Sequence, residues 1–212
     1  MLLVALTGGI ATGKSVIAEV LRQKGCHLDS SDAAAHELMR TGRPTWKKML
    51  SHFGPEILNP DRTINRKALG EIVFSNRKER LFLNRLIHPL VLRHKKQTVR
   101  KLEKEGRTKI FVSEAALTIE AGFAGFFDKI IIASCPKKIQ IRRLMDRDGI
   151  SRTAAARRIG SQMPLREKLK HADYVIDTSG SIMKTVDQTA RVYAQLIRDY
   201  ELKIVLRREA VS

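Results

Sequence analysis

The chain has 212 residues, 43% of them hydrophobic, which suits one domain of ordinary size with a buried core and excludes a disordered or fibrous chain. Forty Lys and Arg against 22 Asp and Glu leave a formal charge of +18, which favours polyanionic partners: phosphorylated metabolites, nucleic acid or anionic lipid. Two distant cysteines, Cys26 and Cys135, fit neither a disulfide framework nor a zinc site, and no run approaches the roughly 18 apolar residues of a membrane helix. Met1–Leu6 is too short for a secretory core, so the expectation is a cytoplasmic protein with reduced thiols and no membrane partner.

Leu2–Leu6 (LLVAL) is continuously apolar and stops at a glycine pair, the pattern of a buried parallel strand. Ser15–Lys24 carries Val16, Ile17, Val20 and Leu21 at helical spacing, with Gly25 placed to end the helix. Cys26–Asp29 reads as a second strand. Ser31 or Asp32 is placed to cap a helix through Ala35, Leu38 and Met39, which Thr41–Pro44 breaks. Residues 45–105 read as mostly helical, interrupted at Gly54-Pro55, Asn59-Pro60 and His88-Pro89. Lys109–Ser113 and Lys129–Ser134 are β-branched strands, and helices are expected over Lys138–Arg147 and Thr153–Gly160. Val175 and Ile176 suggest a last central strand, and Ile204–Leu206 an edge strand or tail. Strands alternating with helices from a buried N-terminal strand indicate an α/β domain with a parallel sheet.

Gly8-Gly9-Ile10-Ala11-Thr12-Gly13-Lys14-Ser15 matches G-x-x-x-x-G-K-[ST] in full, between a predicted strand and a predicted helix. Glycines at 8 and 13 allow backbone angles and a close approach that a Cβ would obstruct. Successive amides through Ala11 and Thr12, with the start of the helix at Val16, then form an anion cradle. Lys14 can reach the β- and γ-phosphates of ATP, and the Ser15 hydroxyl can ligate Mg²⁺. Nucleotide binding follows; the second substrate does not.

For the acceptor side, Asp32 follows the second strand and stands where it could take a hydroxyl proton or hold the metal's water shell; capping the next helix is the alternative role, and Asp29 is the local competitor. Glu114, after the third strand, is a further carboxylate for the metal. Lys137–Lys170 holds eleven Lys and Arg against Asp146, Asp148 and Glu167. Within it Arg143 and Arg147 share a helix face, fit either to bind phosphates from a closing lid or to pair with Asp146 and Asp148. A second basic run, Arg93–Lys109, reads as a solvated helix face. Aromatics at 5% do not interleave with either run, which argues against a single-strand nucleic-acid platform.

Taken in order, ALTGGIATGKS (5–15), SDAAAHEL (31–38), INRKALGEIVF (64–74), IHPLV (87–91), IEAGF (119–123), QIRRLMDRDG (140–149), AARRIGSQMPLREK (155–168) and ADYVIDTSG (172–180) resemble the dephospho-coenzyme A kinases. The D-x-x-A-H, I-N-R-x-x-L-G and R-I-x-x-Q-M-P segments carry the specificity. The resemblance implies a P-loop three-layer α/β/α core (about 1–32, 106–136 and 171–212), a helical substrate region (33–105) and a small lid (137–170). It implies ATP- and Mg²⁺-dependent phosphorylation of the ribose 3′-hydroxyl of dephospho-coenzyme A. Asp32 falls on the family's base or metal partner, and Arg143 and Arg147 on its lid arginines. Asn65, Arg66, His88 and Glu120 fall on positions near substrate, although capping and turn roles fit Asn65 and His88 equally.

Three positions depart from the pattern. Ser30 stands where an aspartate is common. Glu114–Glu120 (EAALTIE) lacks the proline of D-x-P-L-L-x-E. Thr178 replaces an asparagine that, if it reads adenine, would leave base selectivity looser here. A different small-molecule kinase and a nucleic-acid-stimulated ATPase are the competing readings; the substrate segments disfavour the first, the aromatic content the second.

Overall fold

The structure, a computed structural model, describes residues 1–209, so the last three residues of the expected core segment 171–212 lie outside the described residues. The chain divides into two compact units, residues 1–29 with 99 onward, and residues 30–98.

Among the described residues, the first unit is built on five strands, β1 (Leu2–Gly8), β2 (His27–Ser30), β3 (Ile110–Glu114), β4 (Lys129–Ser134) and β5 (Tyr174–Asp177), in the order β2-β3-β1-β4-β5. β1 pairs in parallel with β3 and β4, and β4 with β5. Both faces of β1 are covered, which is why its sequence is continuously apolar. Leu2, Val4 and Leu6 join Ile17 and Leu21 of α1 (Lys14–Gln23) and Leu196 of the C-terminal helix in one core. Ala5 packs on the other side with Ile119, Ile130 and Ile132. Gly25, at φ +87°, ends α1 as its position suggests.

Two strand expectations are corrected. β5 is an edge strand, not a central one: Ile176 is buried and Val175 is 49% exposed, the alternation of a strand with a solvent-facing side. Ile204–Leu206 is neither strand nor tail but helix. It continues the helix Ile182–Glu209, whose Val192, Leu196, Ile197 and Tyr200 pack on the core at helical spacing.

The second unit runs through α2 (Ser31–Leu38), α3 (Pro44–Phe53), a 3₁₀ turn at Pro55–Ile57 and α4 (Arg66–Ser75) into α5 (Arg77–Glu105). Met49, Phe53, Ile57, Leu69 and Val73 form its core. Pro44 opens α3 at a position where its missing N–H has no helical partner to lose. Gly54, at φ +81°, closes α3, so the Gly54-Pro55 break occurs as expected. The break expected at His88-Pro89 does not. Pro89 sits exposed inside the 29-residue α5, between buried Ile87 and Val91, and packing outweighs one lost hydrogen bond. Back in the first unit, α6 (Lys137–Asp148), α7 (Arg152–Gly160) and α8 (Leu165–Leu169) precede β5, and α9 is the helix Ile182–Glu209.

Candidate active site

β1 ends in the phosphate loop. A Cβ on Gly8, whose φ is +149°, would stand 2.5 Å from the backbone oxygen of Ala133 on β4, so only glycine fits. Thr12 folds the loop back, its Oγ1 donating to Gly9 O at 2.9 Å. Ala11 takes a left-handed φ of +57°, a conformation that costs an L-residue about 1–2 kcal/mol and persists only where its surroundings impose it. Gly13, at φ +81°, leads into α1, with Ser15 exposed on the first turn and Val16 N donating to Gly13 O at 3.2 Å. Loop amides and the helix start therefore converge as an anion cradle. Lys14 Nζ donates to Gly9 O at 2.9 Å and Gly8 O at 3.4 Å, lying across the beginning of the loop. Glu114 ends β3 opposite Leu6 of β1 and so shares the carboxyl edge of the sheet from which the loop departs.

The far side of the loop is braced by Thr178. Its buried hydroxyl donates to Thr12 O at 2.6 Å and lies 3.2 Å from Ser134 O. Arg143 of α6 donates to Thr178 O at 2.6 Å and to its Oγ1 at 3.4 Å, and a Cβ on Gly13 would stand 3.5 Å from Arg143 Nη1. Thr178 is thus a strut of the loop, a role the sequence left open. Arg147, one turn on, pairs with Asp148 at 2.7 Å, as does Arg158. Both arginines hold the Asp148 carboxyl below its usual range, Arg147 more strongly. The two predicted lid arginines therefore have different neighbours: Arg143 lies at the loop and Arg147 in a surface ion pair. Cys135, 3.9 Å from Arg143, is buried, and burial pushes its thiol up, which keeps it protonated and inert.

Glu120 receives Met163 N at 3.1 Å on Oε1, which also lies 2.8 Å from Lys168 Nζ. Lys168 is fully buried and donates as well to Ala116 O at 2.6 Å. Beside them Gln162 Oε1 accepts Ile10 N of the phosphate loop at 2.8 Å. Sequence reasoning assigned Gln162 and Lys168 nothing. Their segment was visible as a motif, but the residues they meet are 152 and 48 positions away.

In the second unit, Ser30 caps α2, its Oγ accepting Ala33 N at 3.3 Å. The cap expected at Ser31 or Asp32 is one or two residues earlier, because Ser30 has the extended backbone of an N-cap. Asp32 is left exposed on the first turn, one turn before His36. α2 and α4 border a cavity of about 1000 Å³, with Met39, Leu69 and Val73 among its apolar lining and His36, Glu37, Arg40 and Arg66 as its charged or titratable groups, Arg40 pairing with Glu37 at 3.1 Å. Asn65 lines it too, and caps α4 by accepting Ala68 N at 3.1 Å. His88 falls instead in the interior of α5, half-buried, in neither a turn nor a cap. Burial lowers the His36 pKa, the Arg66 guanidinium lowers it further, and Asp32 opposes both.

Among the described residues, no group of three or more His, Cys, Asp or Glu is arranged to hold a metal ion. A Mg²⁺ on nucleotide phosphates needs only one or two protein oxygens, with phosphate and water completing its shell, and the exposed Ser15 hydroxyl at the helix start has the right donor chemistry.

Comparison with known proteins agrees with this geometry. The dephospho-CoA kinase family model matches residues 2–184. A dephospho-CoA kinase of Carboxydothermus hydrogenoformans is 41% identical over 186 residues, covering 88% of this chain and 90% of its own. The dephospho-CoA kinase structure from Campylobacter jejuni aligns at a TM-score of 0.65 with 31% identity, over 92% of this chain and 96% of its own. A shikimate kinase from Acinetobacter baumannii, at 15% identity and a TM-score of 0.54 over 94% of both chains, shares the fold alone. The family model and these relatives span most of the sequence, and the chain belongs to the dephospho-CoA kinase family.

Proposed function

We propose that this chain transfers the γ-phosphoryl group of ATP to the ribose 3′-hydroxyl of dephospho-coenzyme A, the final step of coenzyme A synthesis. The observation that carries the reading is the complete phosphate loop Gly8–Ser15 in a chain that the family model matches over residues 2–184.

Loop amides and the start of α1 bind the β-phosphate, and Lys14 exchanges the carbonyls of Gly8 and Gly9 for phosphate oxygens. Ser15 would hold Mg²⁺, with Glu114 reaching it through water. When bound, the ion supplies charge neutralisation on the phosphoryl group in flight. Arg143, already beside Gly13, adds positive charge on the nucleotide side, and of residues 137–170 the part before Gln162 serves as the lid, Gln162, Met163 and Lys168 being held to the loop and core. Asp32 takes the proton of the acceptor hydroxyl. The cavity of the helical unit takes the acceptor, with Arg40 and Arg66 facing its pyrophosphate and the apolar lining its pantetheine arm. Buried free thiols at Cys26 and Cys135 suit a cytoplasmic setting.

The test is ADP release with ATP, Mg²⁺ and dephospho-coenzyme A, run beside adenosine, AMP, a polynucleotide and no acceptor. Turnover with dephospho-coenzyme A alone, giving a 3′-phosphorylated product, is expected. Equal turnover with adenosine or AMP, or stimulation by the polynucleotide alone, would refute the assignment.

A further inference from the structure

The phosphate loop contains one residue whose backbone works against it. Ala11 has a φ of +57°, which glycine adopts freely and alanine does not. Its two neighbours are held from outside the loop. On one side Ile10 N donates to Gln162 Oε1 at 2.8 Å. On the other, Thr12 O accepts the Thr178 hydroxyl at 2.6 Å. Ala11 thus stands between two pinned residues, Ile10 held through its N–H and Thr12 through its C=O, which limits how far the loop can shift to relieve it.

The Gln162 clamp is itself anchored. Met163, the next residue, donates its N–H to Glu120 Oε1 at 3.1 Å and packs its side chain against the core of Ala5, Ile119, Ile130 and Ile132. Glu120 is fixed by Lys168, which is wholly buried and held also by Ala116 O. A buried ion pair of this kind contributes little net stability but strongly resists losing one partner. It therefore suits a register pin better than a glue.

We infer that Gln162 is a positioning residue that holds the phosphate loop in its strained, nucleotide-ready shape through Ile10, with the Glu120–Lys168 pair setting where Gln162 stands. The inference rests on the reading that this loop binds ATP, and it moves Glu120 from substrate contact to support. An amide already fixed by protein need not be ordered by the ligand, so the clamp raises affinity by removing an ordering cost from binding.

The test uses the full chain and direct ATP titration, without acceptor, so that an error in the assigned acceptor cannot affect it. Gln162→Met removes the acceptor atom at similar length, and ATP is expected to bind about tenfold more weakly. In an Ala11→Gly background the strain is gone, so the same substitution should cost no more than about threefold. Unchanged or tighter ATP binding in Gln162→Met, or equal losses in both backgrounds, would overturn the inference. Amide exchange at Ile10 gives a second readout that does not depend on ATP. Gln162→Glu retains an acceptor oxygen and should keep the Ile10 amide as slow as in the parent protein, whereas Gln162→Met should speed it about tenfold. Equal exchange in all three proteins would also overturn it. A parent protein that binds ATP but never phosphorylates dephospho-coenzyme A would refute the proposed reaction and leave this inference standing.

Discussion

Around the phosphate loop, side chains from distant segments reach in to fix single peptide groups: Gln162 on Ile10, Thr178 on Thr12, and Arg143 on Thr178 beside Gly13. The cavity of the helical unit has a different construction. Packing of α2, α4 and α5 leaves a space of about 1000 Å³, and Asn65 is tied to its helix start while Glu37, Arg40 and Arg66 stand on the lining. A triphosphate is small, highly charged and always the same, so its site gains from being finished before the ligand arrives. A long acceptor with an apolar arm gains more from room and a few charged anchors. The contrast predicts the most severe effects in the loop backbone itself and graded effects at the cavity.

The largest expected effect is at Gly8. Gly8→Ala sets a Cβ 2.5 Å from Ala133 O, a backbone atom of a central strand that cannot step aside. ATP binding should fall below detection by calorimetry while the helical unit keeps its fold. Retained micromolar binding would show that the loop is more plastic than its clamps suggest. Next comes Asp32→Asn, which removes the proposed base and leaves the loop untouched. Turnover should fall by roughly two orders of magnitude with ATP affinity unchanged. Near-normal turnover would remove Asp32 from the chemistry. Arg66→Ala is the graded case. Losing one charge-assisted contact to a phosphate, worth roughly 1.5–3 kcal/mol, should raise KM for dephospho-coenzyme A about tenfold or more, with KM for ATP constant. An equal rise in both would contradict the division of labour between loop and cavity.

The same contrast governs what could be read from the sequence. β1 and its loop were legible because every feature is local: an apolar run, two glycines at fixed spacing, then Lys14 and Ser15 opening a helix. The clamps were not. Gln162 acquires its meaning only when α7 and α8 carry it to Ile10, and Thr178 only when β5 lies beside β4. The reading of Ile204–Leu206 as an edge strand or tail followed its short apolar, β-branched run, yet Leu196, Ile197 and Tyr200 commit the segment to a helix that simply runs on through it. Pro89 misled for the opposite reason: a strong local breaker lies in a helix that buried Ile87 and Val91 hold from both sides. Local rules failed wherever packing over many residues set the outcome. The cavity is invisible to such rules because it is a space left by packing and not a pattern of residues.

The smallest effect concerns His36, on the cavity wall one turn after Asp32. Burial lowers its pKa from the ordinary 6.5, the Arg66 guanidinium lowers it further, and Asp32 partly offsets them. The unfolded chain therefore binds this proton more readily than the folded one between the folded pKa and 6.5. Stability from this residue is fully present above pH 6.5, falls as pH drops through that window, and levels off once both states are protonated. The carboxylates held low by neighbours, Glu19, Asp61 and Asp148, have ordinary values of 4.5, 3.8 and 3.8 and lie lower still when folded, so they stay mostly ionised in both states at pH 5.5. Melting curves at pH 8 and pH 5.5 should therefore converge more closely in His36→Gln than in the parent protein, the difference arising at the acid end. If the two proteins lose melting temperature in parallel, His36 is solvated like a surface histidine. The cavity wall would then be wetter, and its electrostatic hold on a pyrophosphate weaker, than the graded behaviour of Arg66 requires.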